Sequence, residues 1–128
     1  MARSRKFTVT ATSDGSQVGT HYTPYLSGYV ESVQYVKADS GGYTDGVDFT
    51  ITADVTGENI WTDTNINASE VVRPRAATCT TAGVASLYAA LGEAVNDRIA
   101  LSRDRVKIVL AQAGASKTGT FVITIADA

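Results

Sequence analysis

Apolar and polar residues alternate most clearly in two stretches, residues 105–113 and residues 120–125. The first reads RVKIVLAQA and the second TFVITI. Both are short, rich in β-branched residues and alternate between two faces, which predicts strands rather than helices. The connector GASKTG contains Gly114 and Gly119, and glycine suits turn positions with positive φ. We therefore predict that Arg105 to Ile125 form a C-terminal β-hairpin, whose first strand is apolar on both faces and lies inside a sheet.

The same alternation recurs along the chain, with turns rich in Gly, Asp and Asn between the strands. Residues 47–54 show it best, with apolar side chains on one face and polar side chains on the other. The other predicted strands are residues 7–11, 29–37, 59–62 and 98–101. Within residues 29–37, Val33 and Tyr35 are expected to share one face, and Val30 is expected on the opposite face.

Several segments are less regular. Residues 21–28 (HYTPYLSG) are predicted to form a loop because they contain a proline and a glycine. Residues 70–78 are predicted to form an edge strand interrupted at Arg73-Pro74-Arg75, since proline cannot donate a hydrogen bond to a central strand pair. Residues 85–91 (ASLYAAL) fit either two helical turns or a short strand. We favour strand and loop there because no other segment carries a helix signal, and we predict a turn at residues 102–104.

These strands and turns predict an all-β fold, a single β-sandwich domain over residues 1–128 with jelly-roll or Greek-key connections. The chain has 128 residues, of which 44% are hydrophobic and 19% charged, and this is enough to bury one core. A short basic N-terminal arm, residues 1–6, is expected to precede the sandwich. The single cysteine, Cys79, cannot form an internal disulfide and is expected in or near the core.

Charge and hydropathy narrow the classes of function. The net charge of -2 gives no global attraction to nucleic acid or to an anionic membrane. No apolar run is long enough to cross a bilayer, and no apolar stretch follows the basic start MARSRKF as a signal peptide would require. We therefore expect a protein with neither nucleic acid nor a membrane as a partner, made in the cytoplasm.

Residues capable of catalysis or metal binding form no recognisable motif. His21 is the single histidine, and its neighbours are tyrosines and a proline rather than an acid. Asp39, Asp45, Asp48 and Asp54 lack the spacing of a calcium-binding EF-hand loop. The sequence therefore predicts no enzyme activity, no metal and no cofactor.

Cationic and aromatic side chains near the N-terminal end are the candidates for binding a partner: Arg3, Arg5, Lys6, Tyr22 and Tyr25. The cationic residues of an exposed arm would pair with the acidic face of a neighbouring subunit, formed by aspartates at positions 45, 48 and 54, or with a capsid. Tyrosine rings anchor protein interfaces and also stack on sugars. An exposed platform formed with Trp61 would indicate a carbohydrate-binding module.

The C-terminal half contains short motifs in a characteristic order. They are EVVRPRA at residues 70–76, AG at 82–83, DRIAL at 97–101, RVKIVLAQAG at 105–114 and KTGTF at 117–121. In this order they resemble small virion proteins of tailed bacteriophages. The motifs are structural rather than catalytic, so the resemblance transfers no catalytic residue.

The resemblance implies a β-rich component of the phage particle. The expected role is that of a capsid decoration or cement protein, which binds the major capsid protein and stabilises the head. It implies the major capsid protein or other virion proteins as partners, a homo-oligomer as the assembled form, and a location on the capsid. The alternative is a carbohydrate-binding or adhesin-like module of a tail or collar.

Overall fold

The structure is a computed structural model that describes residues 3–127. Within that range the chain contains no helix, and therefore no helix that could span a membrane. The strands are β1 (Ser4–Thr12), β2 (Gly19–Tyr22), β3 (Leu26–Lys37), β4 (Val47–Ala53), β5 (Asn59–Ile66), β6 (Glu70–Val72), β7 (Arg75–Ala77), β8 (Asn96–Asp104), β9 (Val106–Ala111) and β10 (Thr118–Ala126). The prediction of an all-β fold is confirmed.

The strands form two antiparallel sheets that pack face to face as a β-sandwich. Sheet A has the order β1-β10-β3-β8-β7, with β6 also paired to β3, and sheet B has the order β2-β9-β4-β5. When β6 and β7 are set aside as an insertion, successive strands alternate between the sheets except for β4 and β5, which pair in sheet B, and this is jelly-roll order. Of the two connection patterns predicted, the jelly roll is the one found.

The predicted C-terminal hairpin is wrong, although both of its strands exist. β9 pairs with β2 and β4 in sheet B, whereas β10 pairs with β1 and β3 in sheet A. The connector therefore crosses between the sheets, and the Ser13 hydroxyl holds it by donating to the Gly114 carbonyl oxygen. Gly119 lies in β10 rather than in a turn, where the absence of a side chain makes room for the Tyr43 ring. Both strands lie inside their sheets, as predicted.

Side-chain faces follow simple alternation in β4 but not in β3. In β4 the apolar residues are buried and the intervening polar residues are more exposed. In β3, Val30, Val33 and Tyr35 are all buried, because a bulge shifts the register against β10 between Thr124 and Ile125. Val30 therefore shares the core face with Val33, contrary to the prediction.

The predicted loop at residues 21–28 is mostly strand. His21 is part of β2 and Leu26 begins β3, so only residues 23–25 cross between the sheets. The proline on which the prediction rested lies in this short crossover. The Thr23 hydroxyl oxygen accepts the Val106 N–H at 2.9 Å, which fixes the crossover against β9.

The predicted break at Pro74 is confirmed. β6 and β7 lie on either side of it, and the break lets the chain leave β3 and pair with β8. Residues 78–95 then form turns and isolated bridges, without a helix. Cys79 is exposed rather than near the core, because this segment belongs to neither sheet.

An aromatic cluster fills the centre of the sandwich. The Phe49 ring centroid lies 4.9 Å from that of Tyr35, 5.0 Å from that of Phe121 and 5.5 Å from that of Trp61. The Tyr43 ring stacks on Tyr35 at 5.8 Å, and its hydroxyl donates to a backbone carbonyl oxygen of β1. Edge-to-face contacts of this kind add to the free energy gained by burying the rings. Because its rings come from both sheets, the cluster ties the two sheets together.

Candidate functional site

The predicted basic arm does not extend from the domain in the described part of the chain. Met1 and Ala2 lie outside the described residues. The Arg3 carbonyl oxygen accepts the Asp127 N–H at 2.7 Å, and β1 begins at Ser4 in register with the end of β10. The expectation of an arm is therefore wrong for residues 3–6, because β10 offers them backbone partners.

Arg5 and Lys6 are successive residues of β1 and lie on opposite faces of the sheet. The Arg5 guanidinium lies 5.5 Å from the Phe7 ring centroid, and its Nε is 3.3 Å from the Asp127 carboxylate. Lys6 lies on the outer face and is exposed. The predicted basic cluster is therefore divided, with Arg5 on the face of Phe7 and Lys6 on the opposite face.

A cavity of about 420 Å³ lies beside Arg5 at the end of the sandwich where β3 begins. We call it the arginine pocket, and its lining residues are Arg5, Tyr25, Leu26, Ser27 and Arg103. Ser27 joins the two arginines. Its carbonyl oxygen accepts from Arg5 Nη2 at 3.3 Å, and its hydroxyl oxygen accepts the Arg103 N–H at 2.9 Å. Two predicted partner-binding residues, Arg5 and Tyr25, thus meet in one cavity.

Arg103 reaches the arginine pocket from a bulge near the end of β8. The register against β3 shifts between the pairs Leu26–Asp104 and Gly28–Leu101, and φ of Arg103 is 49°. A non-glycine residue rarely adopts this left-handed conformation. The predicted turn is therefore a bulge within a strand. Within residues 3–127, Arg103 forms no ion pair.

The buried carboxylate of Asp104 anchors the chain next to this bulge. It accepts the N–H groups of Val55 at 2.8 Å, Thr56 at 3.4 Å and Arg105 at 2.7 Å. Burial alone would raise the pKa of Asp104, but the backbone donors together lower it below its ordinary value. A charged Asp104 therefore anchors the chain at the residue that follows Arg103.

Tyr22 and Tyr25 are both exposed and are joined through Arg105. The Arg105 guanidinium carbon lies 3.8 Å from the Tyr22 ring centroid and 4.9 Å from that of Tyr25, and its Nε donates to Asp54 at 2.8 Å. This hydrogen bond raises the pKa of Arg105. Trp61 is only 8% exposed and belongs to the core, so the predicted aromatic platform is wrong in its third member.

Of the acidic and imidazole side chains singled out by sequence, those of Asp45, Asp48, Asp54 and His21 are engaged within the chain. Asp45 pairs with Lys37 at 3.3 Å, and Asp48 accepts a backbone N–H of β5 at 3.0 Å. His21 Nε2 lies 3.1 Å from the Thr12 backbone nitrogen and ties β2 to β1. Among residues 3–127, no group of three or more His, Cys, Asp or Glu side chains is placed to hold a metal ion.

The connection between β7 and β8, residues 78–95, forms a second candidate surface, which we call the apolar segment. Several large apolar side chains are exposed on it: Val84, Leu87, Tyr88 and Leu91. Tyr88 is 76% exposed and Leu91 is fully exposed. Exposed apolar groups concentrated in one short segment mark an interaction surface more often than scattered ones do.

Backbone hydrogen bonds hold the apolar segment in a defined conformation. The Ser86 N–H donates to the Thr78 carbonyl oxygen at 3.0 Å, and the Val95 N–H donates to the Ser86 carbonyl oxygen at 2.9 Å. Leu91 has φ of 61°, a conformation that glycine or asparagine adopts at lower cost. Because its side chain is fully exposed, no contact within the described residues accounts for a leucine there.

Sequence reasoning found part of each surface. It named Arg5 and Tyr25 but missed Ser27 and Arg103, because a register shift between β3 and β8 brings them together and leaves no local signal. The sequence of residues 85–91 fits either a helix or a strand. This lack of one clear period is the sequence feature that marks the apolar segment. Apolar residues that follow neither a helical nor a strand period have no regular face to bury.

Comparisons with known proteins are sparse. No protein-family profile and no curated protein matches this sequence. Among solved structures, the chain is similar to one described as "Crystal Structure of FLHE", with a TM-score of 0.43 and 7% sequence identity over 95% of this chain and 96% of the other. A likeness of this size carries no inference about function.

Proposed function

We propose that this protein is a structural component of a tailed-bacteriophage particle, a decoration or cement protein that binds the major capsid protein and stabilises the head. The resemblance of the C-terminal motifs supports the phage assignment. Jelly rolls occur in viral capsid domains as well as in lectins, and the fold alone does not choose between them. The apolar segment favours a protein partner and is the observation that carries the proposal.

The apolar segment has the properties of a protein-binding surface. Leu87, Tyr88 and Leu91 are exposed while the backbone beneath them is hydrogen-bonded. Covering apolar surface is the dominant favourable contribution to most protein–protein association. A segment with a defined backbone conformation loses less conformational entropy on binding than a flexible one does. Tyrosine in such a position is a frequent interface hot spot.

Mass spectrometry of purified phage particles tests the assignment. We expect this chain in many copies per particle, in a fixed ratio to the major capsid protein, and in the head fraction after heads and tails are separated. Particles without this chain would contradict the proposal. Its presence in the tail fraction alone would contradict the capsid location and favour the tail or collar alternative.

Chemical labelling of Cys79 tests whether the apolar segment is the surface that contacts the capsid. It is exposed, is the single cysteine of the chain and lies at the start of the apolar segment. We expect a maleimide to label Cys79 rapidly in the free protein and slowly in the particle, because the capsid partner would cover it. A Cys79→Ser, Asp39→Cys variant is the control, since the residue 39 turn lies outside the apolar segment. Equal labelling of Cys79 in both forms would place the contact elsewhere.

A further inference from the structure

We propose that the arginine pocket binds a carboxylate-bearing sugar residue, such as a uronic acid. The Arg103 guanidinium would bind the carboxylate, and the Tyr25 ring would pack against the sugar. This site is separate from the apolar segment, so the inference does not depend on the proposed contact with a capsid protein.

The size and charge of the arginine pocket fit a small anion. Its volume of about 420 Å³ lies in the usual range for small-molecule sites. Arg5 and Arg103 line it, and the Asp127 carboxylate offsets one of these charges through its contact with Arg5 at 3.3 Å. The remaining guanidinium can donate two parallel hydrogen bonds to a carboxylate.

The backbone of Arg103 supports a binding role. Several polar residues of the described chain have positive φ between strands, where it is common, namely Gln17, Gln112 and Ser116, and Asn65 has it at a register shift in β5. Arg103 likewise has φ of 49° inside a strand, at a bulge beside the cavity that it lines. Bulges that redirect a side chain are frequent at functional sites, and a strained conformation persists where its surroundings hold it. Here the Ser27 hydroxyl oxygen accepts the Arg103 N–H, and Asp104 anchors the next residue.

The aromatic wall distinguishes a sugar acid from a simple anion. Tyr25 is 60% exposed and lines the cavity, and Arg105 lies against its ring at 4.9 Å. Leu26 adds a buried apolar contact beneath it. A sugar ring has an apolar face that packs on tyrosine, whereas inorganic phosphate has none. Phosphate would therefore use the guanidinium but leave the aromatic wall uncovered.

Binding can be measured by titrating the ¹⁵N-labelled full chain with D-glucuronate, D-glucose or inorganic phosphate. We expect glucuronate to shift the amide resonances of Ser27 and Arg103, which line the cavity and are joined by the hydrogen bond from the Arg103 N–H to the Ser27 hydroxyl oxygen. Glucose should bind at least about tenfold more weakly, because it lacks the carboxylate, and phosphate should also bind more weakly.

Two variants separate the contributions. Arg103→Asn should weaken glucuronate binding about tenfold or more, and it should fold well because asparagine tolerates a φ of 49°. Arg73→Asn is the matched control, since Arg73 is exposed and does not line the cavity. Tyr25→Ala should weaken glucuronate binding but leave phosphate binding unchanged.

Glucuronate binding that is lost in Arg103→Asn and kept in Arg73→Asn supports the proposal. No shift with glucuronate, equal binding of glucose, or phosphate binding as tight as that of glucuronate would overturn it. A wild-type affinity in folded Arg103→Asn would overturn the role of Arg103.

Discussion

The aromatic cluster of the core and the apolar segment contain similar side chains in opposite surroundings. Phe49 and Tyr35 are almost completely buried, whereas Tyr88 and Leu91 are 76% and 102% exposed. In the core, contacts between side chains join the two sheets. In the apolar segment, the backbone makes the internal hydrogen bonds and the large side chains make few contacts.

This difference separates residues that stabilise the isolated chain from residues that remain available to a partner. A buried ring already contributes its apolar surface to folding. An exposed leucine or tyrosine contributes that surface only when another molecule covers it. Substitutions in the two regions should therefore change different measurements.

The largest expected effect is that of Phe49→Ala. It removes the ring at the centre of the cluster and should lower the free energy of unfolding by about 3–5 kcal/mol, as large-to-small core changes do. Urea denaturation followed by circular dichroism would measure it. Tyr88→Ala is the matched control and should change stability by less than about 0.5 kcal/mol. Similar losses in both variants would remove the distinction between the two regions.

Asp104→Ala should have the next largest effect. It leaves the partly buried N–H groups of Val55 and Arg105 without an acceptor, which should cost about 1–3 kcal/mol of stability. Because the folded pKa of Asp104 is depressed, its contribution is complete above the unfolded value of about 3.9 and is lost as the pH falls toward the folded value. Denaturation across acidic pH should show a shallower loss in the variant. Asp45→Ala, which breaks an exposed ion pair, should change little.

Tyr43→Phe should have a smaller effect, about 1 kcal/mol, because it removes one buried hydrogen bond and keeps the ring. Burial raises the pKa of Tyr43. Its contribution is therefore full below the unfolded value of about 10 and is lost as the pH rises from there toward the folded value. The variant should lose less stability at alkaline pH than the wild type. An exposed control, Tyr88→Phe, should behave as the wild type does.

The smallest effect on stability is expected for Leu91→Asn. Asparagine suits a φ of 61° better than leucine, so the free energy of unfolding should stay the same or rise by up to about 1 kcal/mol. Binding to capsids that lack this chain should nevertheless weaken, which a co-sedimentation assay would measure. Leu91→Met, which keeps an apolar side chain, is the control. Unchanged capsid binding in Leu91→Asn would exclude Leu91 from the contact.

Local alternation was sufficient to predict most strands, but it did not predict which strands pair. Residues 106–111 and 118–126 are strands as expected. The turn residues between them are compatible with a connection between two sheets as well as with a hairpin. Gln112 and Ser116 adopt positive φ in that crossing, as they could in either connection. The bulge in β3 could not be predicted from local alternation either, because it depends on the register against β10.

The candidate site shows the same contrast between what residue type predicts and what depends on strand pairing. Arg5 and Tyr25 stand out in the sequence by residue type, and both line the arginine pocket. Ser27 and Arg103 do not stand out, since their roles depend on a strand pairing between distant parts of the chain. The charges of Arg5 and Lys6 predict a solvent-exposed arm, and charge gives no indication that a strand edge lies beside these residues.

The position of β9 and β10 also has a consequence for biosynthesis. β9 lies between β2 and β4, and β10 lies between β1 and β3. Neither sheet can therefore close until residues 106–126 have left the ribosome. A nascent chain that ends before them exposes the strand edges that these two strands later cover, and such edges promote aggregation. The domain should therefore fold only after β9 and β10 have emerged, on the slow millisecond-to-second timescale typical of β-proteins with high contact order.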